Sequence, residues 1–295
     1  MTPRVEIKLE WKKLLNGDRR RPSSSDKTIE HRFAFERDYD RLLFSTPVRR
    51  LADKTQVFPL ERNDSVRTRL THSHEVANLA RSIGTTLTSM PIAEKIGLSG
   101  ISDLHRIVPS ILASVGLAHD LGNPPFGHQG EYAIQSWIAR HSVGKAVDST
   151  SFAVFDGASE LTTAHRNDFL HFEGNAQAVR LLTRLQIISD DFGLNITYAT
   201  LAALMKYPVP SDKIDKAIQS RKKFNFFQSE ATIVGDIWKA TGLVEGVRHP
   251  LTLVMEACDD IAYSVLDLED AAKKGLISVH DLIASLSYTK DPAQA

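Results

Sequence analysis

Apolar positions three and four residues apart dominate this chain from about residue 33 onward. In "VRTRLTHSHEVANLARSIGTTL", Val66, Leu70, Ala77, Ala80, Ile83 and Leu87 keep that spacing, which predicts an amphipathic helix. "LHRIVPSILASVGLAHD" is mostly apolar and predicts a buried helix with Pro109 near its start. Residues 128–140, 173–188, 197–206, 211–222, 230–241 and 250–270 also read as helices, and a further helix is expected over 276–287. Two stretches break the pattern. Residues 16–32, "NGDRRRPSSSDKTIEHR", are polar, basic and Ser/Pro-containing, and read as a mobile arm or loop. Residues 141–171 form a long excursion with an expected short strand pair around "SFAVF". Strand candidates are few, and no linker, repeat or low-complexity tract divides the chain. The expectation is a mainly α protein: a basic arm over 1–32 and one helical core over 33–295.

Composition narrows this little. Of 295 residues, 42% are hydrophobic and 24% charged, as in ordinary globular chains. Lys+Arg and Asp+Glu both total 36, so any affinity for nucleotides or nucleic acid must come from local patches. The one cysteine, Cys258, excludes an intrachain disulfide and a Cys-based zinc site, and fits a reducing cytoplasm. The first residues, "MTPRVEIKLEWKKLL", lack the apolar core of a signal peptide. The longest apolar runs, such as "ILASVGLA", are too short to span a bilayer. A cytoplasmic location without membrane partners is expected.

The chemistry gathers around residues 118–131, "AHDLGNPPFGHQGE". Neighbouring helical residues point about 100° apart, so His119 and Asp120 can hold one ion only near a helix end. The break at "GNPPFG" provides that end. Imidazole with carboxylate suits Mn²⁺, Fe²⁺, Co²⁺ or Zn²⁺ and tolerates Mg²⁺. A helix-terminal histidine bonded to a carboxylate is an equally weighted alternative at this point. "RTRLTHSHEV" offers Arg69 and His72 on one helix face, with His74 pointing elsewhere as a surface or packing residue. In "MEACDDIAYSVLDLED", Asp259, Tyr263 and Asp267 fall at four-residue steps along a largely apolar helix. His128 and Glu131, three apart after the turn, would make an oriented proton donor. The alternative for Glu131 is a first-turn carboxylate favoured by the helix dipole.

The order of His72, His119-Asp120 and Asp259 resembles that of the HD-domain metal phosphohydrolases. The longer stretches "RRLADKTQVFPLERNDSVRTRLTHSHEV", "HDLGNPPFGHQGE", "HFEGNAQAVRLL", "LMKYP" and "EACDDIAYSVLDLEDA" are similar to the deoxyguanosinetriphosphate triphosphohydrolase family, over residues 38 to 275. This resemblance implies an HD-domain helical fold and conversion of a deoxynucleoside triphosphate, dGTP foremost, to deoxynucleoside and inorganic triphosphate. By position it implies His72, His119, Asp120 and Asp259 as metal ligands and His128 with Glu131 as the catalytic pair. Gln56, Arg69, Asn123, Lys206, Tyr263 and Asp267 match substrate-contacting positions. The implied cofactor is a divalent metal, Mn²⁺ or Mg²⁺ first, then Fe²⁺, Co²⁺, Ni²⁺ or Zn²⁺, and the implied assembly is a homo-oligomer. Family members generally continue past the equivalent of residue 275, so the core is expected to lack a C-terminal portion.

The charges suit such a substrate, because a tetra-anionic triphosphate needs cations such as Arg69 and Lys206. The runner-up expectation is another HD-domain nucleotide phosphohydrolase. A nucleotide- or single-stranded-DNA-binding regulator on the same fold is the non-enzymatic alternative. Weak single-stranded DNA binding through "RRRP" and "RKKF" is a further, minor expectation.

Overall fold

The helical periodicity is realised almost throughout. The computed structural model describes residues 8–21, 31–141, 161–186 and 190–288. Its helices are α1 (Ala34–Leu43), α2 (Arg69–Leu87), α3 (Leu104–Ala118), α4 (Gly127–His141), α5 (Thr163–Leu170), α6 (Gly174–Arg180), α7 (Tyr198–Leu204), α8 (Ala231–Thr241), α9 (Pro250–Lys273) and α10 (Val279–Tyr288), with shorter turns between them. Among the described residues β-pairing is limited to three isolated bridges. No helix there is long and apolar enough to cross a membrane.

The apolar run in α3 puts it at the centre. Val108, Ile111, Leu112, Val115 and Leu117 are fully buried, each such side chain contributing roughly 1.5–3 kcal/mol of burial. α1, α2, α7 and α9 pack around it. Glycine sets the α2–α3 approach: a Cβ on Gly116 would lie 2.7 Å from Ala77 Cα. That contact holds His72 on α2 level with the C-terminal end of α3. Thr68 caps α2 reciprocally with Thr71, and His249 caps α9 by accepting from Leu251 N–H at 3.1 Å, with Pro250 in the first turn.

Three expectations are corrected. Residues 211–222 form two 3₁₀ turns, Ser211–Lys213 and Gln219–Arg221, in place of a helix. Asp215 explains the break: its N–H donates to Arg221 O at 2.8 Å and its carboxylate accepts from Ala217 N–H at 2.9 Å, so local bonds outcompete the helical ladder. The 173–188 helix is α6 followed by a π-type turn over Leu181–Leu185. The 141–171 excursion contains α5; the strand pair at "SFAVF" lies outside the described residues.

The described part of the basic N-terminal segment is docked. Leu14 and Leu15 are buried in the core, and Trp11 Nε1 donates to Ile96 O at 2.8 Å. Arg19 forms a 2.7 Å ion pair with the fully buried Asp38. Arg20 donates to Thr183 O at 2.8 Å, and Arg21 pairs with Asp190. The charges that suggested an arm through residues 16–21 are satisfied internally; residues 22–30 lie outside the described set.

Candidate active site

Three helices converge beside the end of α3. His119 continues the helical path, and its Nδ1–H donates to Gly116 O at 2.7 Å. A carbonyl only accepts, so this bond assigns a proton to Nδ1 and leaves Nε2 as the ring atom open to a second proton or a cation. His119 Nε2 is buried and makes no hydrogen bond; it lies 3.5 Å from Asp259 Oδ1 and 3.6 Å from Asp120 Oδ1. His72, from α2, is 1% exposed and sets Nε2 3.1 Å from the same Asp259 oxygen. One donor atom from each of His72, His119 and Asp259 lies within 4.8 Å of the others.

The electrostatics ask for a positive charge at the centre of this triplet. Burial alone would depress His119, yet the carboxylates of Asp120 and Asp259 outweigh it and raise its pKa. Burial would raise Asp259, but His119, His72 and the Lys206 ammonium, 3.4 Å from Oδ2, hold its carboxyl far below the usual range. Two buried imidazoles and one carboxylate, with an orphaned ring nitrogen among them, match the donor set of a first-row divalent cation.

Asp120, the fourth expected ligand, has its Oδ1 3.6 Å from His119 Nε2. Its Oδ2 pairs with Arg69 and its Oδ1 accepts from Asn123 Nδ2 at 2.5 Å. It therefore sits beside the triplet, tying it to the turn that follows. Positive φ at Phe126 (65°) and Gly127 (53°), together with Pro124 and Pro125, make that turn abrupt. α4 begins at once, and its first turn carries the second ionisable pair.

His128 Nδ1 and Glu131 Oε2 are 2.7 Å apart. The carboxylate accepts, so Nδ1 donates and Nε2 is left to exchange a proton. Glu131 is 3% exposed, whereas the His128 side chain is 70% exposed. Glu131 Oε1 accepts from Gly174 N–H at 2.8 Å at the start of α6. Burial would raise Glu131, but His128, Lys223 and this N–H lower its pKa overall, so it stays ionised. The pair opens on a cleft of about 630 Å³ that also exposes Tyr132, His171, Lys222 and Lys223.

The other expected contact residues differ in their surroundings. Arg69 is buried with Nε unpartnered, and Gln56 is half-buried with Oε1 unpartnered. Lys206 reaches Asp259. Tyr263 and Asp267 lie one and two turns beyond Asp259 on α9, Tyr263 47% exposed and Asp267 half-buried, its carboxyl raised by that burial.

Sequence reasoning missed Gly174, Lys54 and Lys223. A Cβ on Gly174 would collide with Asn123 Oδ1 and lie 2.9 Å from Glu131 Oε1, so a larger residue would displace one of these side chains. Lys54 donates to Asn123 O at 2.6 Å. Lys223, read as part of a nucleic-acid patch, instead pairs with Glu173 at 2.9 Å and lies 3.8 Å from Glu131. The glycine in "HFEGNAQ" was a visible signal for a close approach; the stretches that hold the two lysines did not show these partners.

A buried histidine–aspartate cluster closed by an His-Asp step at a helix end defines an HD domain, and the HD domain model matches residues 69–189. The chain is 43% identical over 285 residues to a deoxyguanosinetriphosphate triphosphohydrolase-like protein of Listeria innocua, covering 96% of this chain and 60% of that protein. It is 38% identical over 311 residues to one from Synechocystis, covering 97% and 67%. It is 39% identical over 280 residues to a deoxyguanosinetriphosphate triphosphohydrolase of Yersinia enterocolitica, covering 89% and 54%. The chain belongs to the deoxyguanosinetriphosphate triphosphohydrolase-like family. It spans about three-fifths of the length of the first of these relatives.

Proposed function

We propose that this chain hydrolyses a deoxynucleoside triphosphate, dGTP foremost, to the deoxynucleoside and inorganic triphosphate with the help of a divalent cation. The observation that carries the reading is the orphaned, buried Nε2 of His119 facing two carboxylates, one short turn away from the His128–Glu131 pair. His72, His119 and Asp259 are the proposed ligands, with Asp120 beside them as the fourth. When bound, a divalent cation supplies Lewis acidity, which lowers the pKa of water toward neutrality and polarises phosphoryl oxygens.

The chain's own residues do the rest. Arg69 and Lys206 offer cations to the triphosphate. Water attacks the α-phosphorus, the P–O5′ bond breaks, and its electron pair leaves on the 5′-oxygen. That alkoxide is a poor leaving group, so a proton from His128 at that oxygen lowers the barrier. Glu131 keeps the imidazole oriented. Tyr263 is assigned to the exclusion of a 2′-hydroxyl and Gln56 to the sugar 3′-hydroxyl, both by their positions in the family's pattern.

The test is product analysis by ³¹P NMR with each of the four dNTPs, in Mn²⁺ and in Mg²⁺, using ¹⁸O-labelled water. The expected products are unlabelled deoxynucleoside and labelled triphosphate, with dGTP turned over fastest. First products of dGDP and phosphate would instead make the chain another kind of HD-domain nucleotide phosphohydrolase. Label in the nucleoside hydroxyl would place attack at carbon.

A further inference from the structure

Lys54 stands at a junction that none of the expected site residues explains. It is half-buried. Its backbone carbonyl accepts from Arg69 N–H at 2.9 Å, and Thr55 bridges to Thr68, so this residue is fixed to the start of α2. Its ammonium donates to Asn123 O at 2.6 Å, across 69 residues of sequence. Asn123 in turn bonds Asp120 through Nδ2, and its Oδ1 abuts Gly174, whose N–H holds Glu131. One side chain thus joins the helix carrying Arg69 and His72 to the turn between the two ionisable clusters. A charge-assisted bond to a carbonyl in a partly buried setting is stronger than a neutral one. A carbonyl at a tight turn has little freedom once held this way.

We propose that Lys54 is a positioning residue that locks the Gly122–Gly127 turn to the N-terminus of α2, and so fixes the separation of the His72/His119/Asp259 triplet from the His128–Glu131 pair. The proposal rests on the functional reading above for its kinetic arm, but not for its structural arm. Lys54 acts through Asn123 and touches no reacting atom.

Two variants of the 295-residue chain test it. Lys54→Met keeps the aliphatic stem and removes the ammonium; Lys54→Arg keeps a cation that can reach the carbonyl. Hydrogen exchange read by mass spectrometry is expected to quicken in Lys54→Met over residues 119–131 and to stay unchanged in α8. Misplacement of the turn is expected to lower kcat by up to roughly 10²-fold with KM little changed. Lys54→Arg should recover much of both. Unchanged exchange over 119–131 in Lys54→Met overturns the proposal. So does a raised KM at unchanged kcat, which would make Lys54 a substrate-binding cation. If the wild-type chain turns over no dNTP, the functional reading fails, and the exchange measurement alone decides the role of Lys54.

Discussion

The two ionisable clusters are built in opposite ways. His72, His119 and Asp259 are drawn from three helices, with His72 and Asp259 separated by 187 residues, and the two imidazoles are enclosed. His128 and Glu131 are three residues apart in one helical turn, and the histidine is open to a cleft. The first depends on the α2–α3–α9 packing for its existence; the second depends on it only for its placement. A buried donor set excludes competing water and fixes geometry, as a cation requires. An exposed imidazole on a buried carboxylate can meet a substrate and still keep its orientation.

This contrast can be broken from either side. On the proposed reading, Asp259→Ala has the largest effect. It should abolish Mn²⁺ binding, followed by electron paramagnetic resonance, and lower kcat by more than the roughly 10²–10³ that losing one electrostatic group costs. Retained Mn²⁺ affinity would remove Asp259 from the ligand set. His128→Ala comes next: kcat falls roughly 10²–10⁴-fold while Mn²⁺ affinity survives. Loss of Mn²⁺ with this variant would make His128 a ligand and erase the distinction between the clusters.

Gly174→Ala probes the join between them. Its methyl meets Asn123 Oδ1 and Glu131 Oε1, so the turn or the carboxylate must shift. The expected cost is about 1–3 kcal/mol of stability, read by thermal unfolding, and a fall in kcat of up to roughly 10²-fold. A variant with wild-type kcat would show that the approach of α6 to the turn is incidental.

Acid separates the clusters more gently. His249 caps the helix that carries Asp259, and burial lowers its pKa to about 4. Unfolded, a histidine titrates near about 6.5. Between these values the unfolded chain binds more protons, so stability is full above about pH 6.5 and is lost as pH falls toward about 4, with a slope approaching roughly 1.4 kcal/mol per unit. Glu131 has a lowered pKa and so holds its charge to lower pH than an ordinary glutamate. Calorimetry across it should find the loss in the wild type and a flatter profile in His249→Asn. An equal slope in both would exclude His249 as the cause.

By itself the sequence determined the helical class and most helix positions, and it singled out the residues of both clusters. Helix faces and an i, i+3 pair are local properties, written in spacing, and α2, α3, α8 and α9 lie where their apolar periods end. The abrupt turn was legible from its prolines and glycines. Only the tertiary structure decided what required distant partners. Arg19 looked like part of a loose basic arm until Asp38, buried in α1, claimed it. Asp120 reads as an equal of His119, yet Arg69 and Asn123 hold its oxygens. Lys54 and Lys223 lie in stretches the sequence singled out, but their partners are not written there, because a lysine's role is set by whichever acceptor the folded chain brings within reach. Spacing encodes which residues share a face, and close packing between remote helices decides which charges meet.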